Sequence, residues 1–206
     1  MNTKVNYFNS DKIFYPYVIN YIITINGLIE LFSRALTLLL KKIPKDEDRK
    51  KVLQSLKKDV QTDFLQHDGK RPLIGKTSLR SFFQGNNIDI DIDEIAEELM
   101  GNFQYLLPFQ MKAAGNLIIM SYEISKDTYD DKSEIWNFFY HCRNAAAHGG
   151  LFNITDGKRF PARWGSLEIT KELNKTNLFH IPDEGGLIGP GDPIRLLWDI
   201  EQSYIK

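Results

Sequence analysis

The sequence predicts an all-α fold: an up-and-down bundle of four to five helices, followed by a small C-terminal β-hairpin and a final helix. Long segments before residue 150 repeat their apolar residues at helical spacing. From residue 149 onward, eight of the chain's 14 glycines and short alternating runs indicate turns and strands instead. We therefore expect a bundle over residues 1–150 and a hairpin-plus-helix extension over residues 151–206, packed together as a single domain.

A first long helix is predicted over residues 11–43. Ser10 or Asp11 can cap its start, Pro16 fits its first turns, and Pro44 ends it.

Residues 17–40 of this helix are apolar enough that a membrane-spanning helix is an alternative interpretation. Glu30 and Arg34 lie inside this stretch, and each would cost roughly 2.5–3.5 kcal/mol at the centre of a bilayer. They are four residues apart and can pair on one helix face. We interpret the segment as a core helix, with no membrane partner, whose broad apolar surface also meets a second helix or a second subunit.

Short helices are predicted over residues 45–59 and over residues 78–85, the second capped by Thr77. Residues 69–77 imitate a phosphate-binding loop. That motif requires four residues between its glycines, and this stretch has five.

The acidic run over residues 89–93 suggests a calcium loop, but that pattern needs a glycine where Glu94 stands and a glutamate where Met100 stands. Asp91 with Glu94 fits a capping box better and opens a helix. A further apolar helix follows over residues 107–124, and a glycine inside it permits a close neighbour.

The helix predicted over residues 131–150 is the most informative stretch. Its apolar stripe consists of Ile135, Phe138, Phe139, Cys142, Ala145 and Ala146. A polar line on another face consists of Glu134, Asn137, His141, Asn144 and His148. Gly149 and Gly150 then end the helix, because glycine tolerates the left-handed conformation that terminates one.

Arg143, Asn144 and His148 combine groups that can act on a phosphodiester. A guanidinium holds a phosphate by paired hydrogen bonds, and an imidazole moves a proton near neutral pH. On a straight helix Arg143 lies about 140° around the axis from His148. Arg143 must therefore reach across, or the helix must loosen near His148, or a second chain must complete the site. The alternative is a surface arginine and a C-cap histidine without catalytic roles.

The run from Arg143 to His148 resembles the signature of the HEPN-superfamily ribonucleases, an arginine, a polar residue, three further residues and a histidine near a helix end. The resemblance extends over roughly residues 11–150, mostly as helix pattern. It implies an endoribonuclease that uses Arg143, Asn144 and His148 as catalytic residues and needs no metal or cofactor. The implied products carry 2′,3′-cyclic phosphate and 5′-hydroxyl ends.

The same resemblance implies a homodimer whose two motif helices face each other, and a toxin–antitoxin or antiphage system with an antitoxin or defence partner protein. Some toxin members carry a tyrosine two residues after the histidine, the target of an AMP-adding antitoxin. Gly150 occupies that position here, which argues against such regulation at this site.

Asn137 and His141 lie on the same polar line, and we expect them to bind substrate. For His141 an ordinary helix histidine with a satisfied hydrogen bond is an equal alternative. His141 and His148 are two turns apart, roughly 10 Å, so they cannot share one zinc ion, and we predict no metal site.

The net charge of −1 conceals two opposite segments. Residues 41–80 contain twelve basic and six acidic residues, a net charge of +6, whereas residues 88–134 contain three basic and eleven acidic residues, a net charge of −8. A basic flank beside a phosphate-cleaving site suits an RNA substrate. The alternative is a solvated helix face.

Cys142 is the single cysteine, which excludes an intramolecular disulfide and fits a reducing compartment. The N-terminal residues lack the pattern of a signal peptide, so we expect a cytoplasmic protein. Two other classes remain open: a non-catalytic HEPN module that binds nucleotides or a protein, and a purely structural helical protein.

After residue 150, a strand over residues 164–170 is predicted to pair with residues 177–181. Asp192 and Pro193 open the last helix, with an apolar side formed by Ile194, Leu197, Trp198 and Ile200.

Overall fold

The computed structural model describes residues 10–44, 47–51, 54, 76–80, 87–154 and 159–204, and it is mainly α-helical, as predicted. It has two small antiparallel sheets where one C-terminal hairpin is predicted, and the up-and-down bundle stays a prediction. The helices are α1 (Tyr15–Lys42), α2 (Ile92–Glu98), α3 (Leu106–Tyr129), α4 (Glu134–Ala147) and α5 (Asp192–Tyr204). The strands are β1 (Lys76–Arg80), β2 (Asn87–Asp91), β3 (Ala162–Trp164) and β4 (Leu167–Ile169). Short 3₁₀ turns span Phe103–Tyr105 and Lys171–Leu173.

The chain divides into two compact units. The first comprises Met1–Thr24 and Gln110–Lys206, and the second comprises Ile25–Phe109. The division does not follow the predicted boundary at residue 150. The described residues of the C-terminal extension belong to the first unit, together with α4, which carries the motif residues.

Helix α1 starts at Tyr15, later than the predicted cap at residues 10–11, and ends at Lys42 as predicted. Pro16 lacks an N–H group and therefore fits only in a first turn, which fixes the later start. The backbone N–H of Phe14 donates to the Glu201 carboxylate of α5 at 3.3 Å. The last helix thus caps the first.

Among the described residues, α1 is the one helix long and apolar enough to cross a membrane by length and composition. Both of its ends contribute to protein cores. The first unit buries Phe14, Val18 and Tyr21, and the second buries Phe32, Ala35 and Leu36. Arg34 also forms an ion pair with Asp93 of α2. Only 17% of its apolar window is buried, so the core-helix interpretation stays a prediction.

The sequence pattern predicts a helix over residues 78–85, and this prediction is wrong for residues 78–80, which are in a strand; residues 81–85 lie outside the described residues. Strand β1 pairs antiparallel with β2, with Leu79 opposite Ile88. The alternation of isoleucine and aspartate over residues 88–91 is a strand pattern, and β1 is the partner that it pairs with.

Asp91 caps α2 as predicted. Its Oδ1 accepts hydrogen bonds from the backbone N–H groups of Asp93 at 2.9 Å and Glu94 at 3.3 Å. Residues 47–51 are helical, in agreement with part of the charged helix predicted over residues 45–59. The rest of that helix and residues 69–75 lie outside the described residues.

Helix α3 continues to Tyr129, beyond the predicted end at residue 124, so the turn before α4 is only residues 130–133. Gly115 faces α4, where a Cβ atom built on it would lie 3.5 Å from the Cβ of Ala146. The close approach predicted from this glycine is confirmed, although the space would also accept a methyl group.

Helix α4 supplies the centre of the first unit's core. Most of the predicted apolar stripe is fully buried, namely Phe138, Phe139, Cys142 and Ala145. Trp136 is equally buried although the stripe does not include it. Its ring lies 5.6 Å from that of Phe139, which also meets Phe14 of the chain before α1 at 6.4 Å.

The extension packs on α4 through a shorter hairpin than predicted. Strand β3 pairs with β4 across a two-residue turn in which Gly165 has φ +59°, so residues 177–181 are not its partner. Those residues form isolated bridges instead, such as Phe179 with Ile188. The ring of Trp164 lies 5.8 Å from that of Phe138, and its Nε1–H donates to Asp199 of α5 at 2.7 Å.

Candidate active site

Helix α4 ends one residue before His148, as the paired glycines predict. Gly149 and Gly150 have φ of +79° and +89°, and the Gly150 N–H donates to the carbonyl of Ala145 at 2.8 Å. His148 is the C-cap, with a non-helical φ of −106° and ψ of 36°. The helix thus loosens at His148, but this leaves Arg143 bonded to Glu123 and Asn144 and not to the imidazole, so the way in which Arg143 and His148 would act together stays a prediction.

Arg143 is held from two sides. Its Nε and Nη2 donate to Oε1 of Glu123 on α3, at 2.9 and 2.5 Å, and its Nη1 donates to Oδ1 of Asn144 at 3.0 Å. A guanidinium has five N–H groups, so one on each terminal nitrogen has no acceptor among the described residues. Two N–H groups are what a bidentate phosphate contact requires.

Glu123 joins Arg143 to a second cation. Its Oε2 accepts from Nζ of Lys126 at 2.6 Å. Hydrogen bonds from Lys126 and Arg143 hold the pKa of the Glu123 carboxyl below its ordinary value, so the group is ionised at neutral pH. The three side chains are 30–37% exposed and form a surface cluster of two cations and one anion, with a net charge of +1.

No pattern in the sequence marks Glu123 or Lys126 as site residues. Their spacing of three on one helix indicates a salt bridge, but nothing in a single helix pattern shows that α3 places this pair beside Arg143. We call Arg143, Glu123 and Lys126 the cation cluster.

Asn144 contacts the arginine rather than the histidine. Its side-chain oxygen accepts from Arg143, and its backbone carbonyl accepts from the His148 N–H at 3.1 Å. The His148 side chain is exposed and makes no hydrogen bond to any residue that the structure describes. The structure therefore brings Arg143 and Asn144 together and leaves the imidazole open to solvent at the helix end.

Asn137 and His141 are buried, with exposed fractions of 4% and 6%. The amide nitrogen of Asn137 donates to the carbonyls of Lys132 at 3.1 Å and Pro161 at 2.9 Å. Nε2 of His141 lies 3.2 Å from the carbonyl oxygen of Arg159. Both side chains thus hold neighbouring backbone, although the buried Oδ1 of Asn137 has no hydrogen-bond partner among the described residues, and their predicted substrate contact stays a prediction.

The segment that Asn137 and His141 hold is also fixed by an ion pair. Arg159 donates to both carboxylate oxygens of Asp130 at 2.7 Å and lies 4.9 Å above the ring of Tyr140. Burial alone would raise the pKa of Asp130, but hydrogen bonds, foremost the one from Arg159, lower it below its ordinary value. This anchor keeps residues 159–161 against α4.

Two other expectations concern the surroundings of the site. In the described part of the chain, no three His, Cys, Asp or Glu side chains form a group that could hold a metal ion. The basic segment over residues 41–80, which we expect to attract RNA, lies largely outside the described ranges.

Comparison with known proteins identifies no relative of this chain. No protein-family model, no curated protein and no solved structure matches the chain. The function is therefore inferred from the motif residues and their contacts.

Proposed function

We propose that this protein is a HEPN-type endoribonuclease that cleaves RNA through its 2′-hydroxyl without a metal ion. The observation that carries the proposal is the end of α4. There Arg143 is fixed by Glu123 and Asn144 with two N–H donors to spare, and an imidazole is exposed at the C-cap of the same helix.

In the proposed reaction, Arg143 binds the scissile phosphate and offsets the charge that it gains in the transition state. The 2′-oxygen attacks the phosphorus, the bond to the 5′-oxygen breaks, and the products are a 2′,3′-cyclic phosphate and a 5′-hydroxyl. One proton leaves the 2′-hydroxyl and one reaches the 5′-oxygen; His148 transfers one of them as general base or acid, and water exchanges the other. Unpaired RNA is the preferred substrate, because its 2′-hydroxyl can swing into line with the phosphate.

Asn144 and Glu123 act as positioning residues in this proposal, since both touch Arg143. The His148 imidazole makes no hydrogen bond to Arg143 or Asn144 within one chain. We therefore include a homodimer in which two motif helices lie near the two-fold axis and complete each other's sites. A cytoplasmic toxin–antitoxin or antiphage role, with a controlling partner protein, follows from the motif resemblance alone.

The test uses end-labelled single-stranded RNA, and DNA of the same sequence, in excess EDTA. We expect the protein to cut the RNA and not the DNA, which has no 2′-hydroxyl, and mass spectrometry to show cyclic phosphate ends. His148→Ala should slow cutting by roughly a hundredfold or more, and Arg143→Ala by a similar factor, without loss of the fold. His180→Ala, at another exposed histidine of the first unit, is the matched control and should cut normally.

The opposite results would favour a different function. If His148→Ala cuts at the wild-type rate, or if EDTA abolishes cutting, the proposed mechanism is wrong. A non-catalytic HEPN module that binds nucleotides or a protein then takes its place. In such a module the pair of Arg143 with Glu123 is only structural, and His148→Ala leaves binding unchanged.

A further inference from the structure

Lys126 stands beside Arg143 because both bind one carboxylate. Glu123 receives Arg143 on Oε1 and Lys126 on Oε2, at 2.5 and 2.6 Å. Since the two oxygens belong to the same carboxylate, the ammonium and the nearest guanidinium nitrogen lie within about 8 Å of each other. Glu123 thereby sets the distance between the two cations.

The carboxylate cannot neutralise both cations, and Lys126 keeps hydrogen-bonding capacity. An ammonium group has three donors, and Glu123 is the one acceptor that the described residues offer it. The Lys126 side chain is 37% exposed, so the remaining donors can reach solvent or a ligand. An exposed Glu–Lys pair three residues apart contributes little to stability by itself.

We propose that Lys126 binds the phosphate adjacent to the scissile one, so that the site takes an RNA strand with at least two consecutive phosphates. A dinucleoside monophosphate, with one phosphate, would occupy Arg143 alone. This inference rests on the proposed function, because it places the scissile phosphate on Arg143. It adds a residue that selects a polymer over a short nucleotide.

Binding is measured with a fluorescent eight-nucleotide single-stranded RNA, in the His148→Ala background so that the strand stays intact. Anisotropy titrations from about 50 to about 300 mM salt give the slope of log Kd against log salt. Adding Lys126→Met should weaken binding roughly threefold to tenfold and reduce the slope by about 0.7, the value for one phosphate contact in a single strand. Lys126→Arg should restore both.

Lys112→Met is the matched control. Lys112 is an exposed lysine on the same helix, fourteen residues earlier, and its replacement makes the same change in net charge. If Lys126→Met and Lys112→Met give the same affinity and slope, the Lys126 contact is overturned.

Cleavage of short substrates, in the His148-containing protein, tests the second phosphate directly. For a trinucleoside diphosphate, Lys126→Met should raise KM roughly threefold to tenfold and leave kcat unchanged, because the lost contact is uniform binding. For a dinucleoside monophosphate, Lys126→Met should match the wild type. Equal effects on both substrates would overturn the proposal.

The two proposals can fail separately. If the wild type cuts RNA but Lys126→Met behaves like Lys112→Met, only the Lys126 contact is wrong. If the wild type does not cut but RNA binding still depends on Lys126, the nuclease is wrong and the contact stands. If the wild type does not cut and the His148→Ala protein binds no RNA at all, both are overturned.

Discussion

Replacing Glu123 separates the two effects that its carboxylate has on Arg143. The carboxylate orients the guanidinium through Nε and Nη2, and it also neutralises part of the positive charge that would attract RNA. Glu123→Gln can keep an acceptor oxygen for Arg143 but removes the charge. Glu123→Ala removes both. Glu123→Ala should therefore lower kcat more than Glu123→Gln does. Because both variants remove the negative charge, both should change RNA affinity in the same direction.

The magnitudes follow from the exposure and geometry of the cation cluster. Its side chains are about one-third exposed, so either replacement should lower the free energy of unfolding by only about 0.5–1 kcal/mol. A misplacement of about 1 Å in an active site can cost about a hundredfold in rate. Because Asn144 still holds Nη1 of Arg143, we expect Glu123→Ala to lower kcat about tenfold. Glu123→Gln should lower kcat less than about threefold, and it should steepen the salt dependence of binding by about 0.7 as the cluster charge rises from +1 to +2.

The assay is steady-state cleavage of a single-stranded RNA at two salt concentrations, with Glu134→Gln, at an exposed glutamate of α4, as the control. If Glu123→Ala has the kcat and KM of the wild type, Arg143 is not positioned by Glu123 in the reacting complex. If Glu123→Gln loses as much kcat as Glu123→Ala, the charge of Glu123 matters and its hydrogen-bond geometry does not.

Three further predictions concern stability, each measured by urea unfolding. Asp130→Ala should lower the free energy of unfolding by about 2–4 kcal/mol, because it leaves the mostly buried Arg159 without its carboxylate; a loss below about 0.5 kcal/mol would contradict this. Burial raises the pKa of Glu201 in the folded protein, so ionisation opposes folding as the pH rises above the ordinary carboxyl range. Glu201→Gln should therefore gain stability relative to the wild type as the pH rises above the ordinary carboxyl range, about pH 4, and a loss on raising the pH would refute the assignment. Gly150→Ala, at φ +89°, should cost about 1–2 kcal/mol, whereas Gly115→Ala should be neutral or stabilise by up to about 1 kcal/mol, and the reverse order would contradict the packing described.

Local signals in the sequence are sufficient for most of the helices and for several of their ends, although α3 continues five residues beyond its predicted end. The apolar stripe of α4, the cap at Asp91 and the stop at Gly149 and Gly150 all depend on residues within one or two turns of each other. Such signals act through local hydrogen bonds and backbone conformation, so a single sequence contains them. The start of α1 also depends on a local signal: Pro16 marks where the helix begins, and the polar residues before it do not.

Features that depend on pairing between distant segments were missed. The local pattern predicts a helix at residues 78–80 of β1, because these residues do not show that β2 will pair with them. Glu123 was missed for the same reason, since Arg143 comes twenty residues later on another helix. In both cases the stabilising contact is between elements, and the local pattern is compatible with more than one partner.

The polar line of α4 shows why residue type alone could not define the site. A polar side chain on a helix can face solvent, or it can be covered by backbone whose carbonyls it binds. Asn137 and His141 are covered in this way, because their side chains bond to the backbone carbonyls of Pro161 and Arg159. The line therefore divides into a buried half, which holds the extension, and an open half, which ends at His148.

This division has a consequence for the proposed chemistry. The buried half of α4 is anchored to residues 159–161, and Arg143 is anchored to Glu123 of α3. Arg143 and His148 belong to one helix and its C-cap, so movement of α4 as a whole does not change their separation. Because the Arg143 side chain is also anchored, adjustment is confined to the C-cap, where the backbone has left helical geometry. The group that we propose transfers a proton therefore lies on the more adaptable part of the site, and the group that we propose binds the phosphate lies on the more rigid part. Catalysis by this arrangement requires that the bound strand, or a second copy of the chain, orient the imidazole.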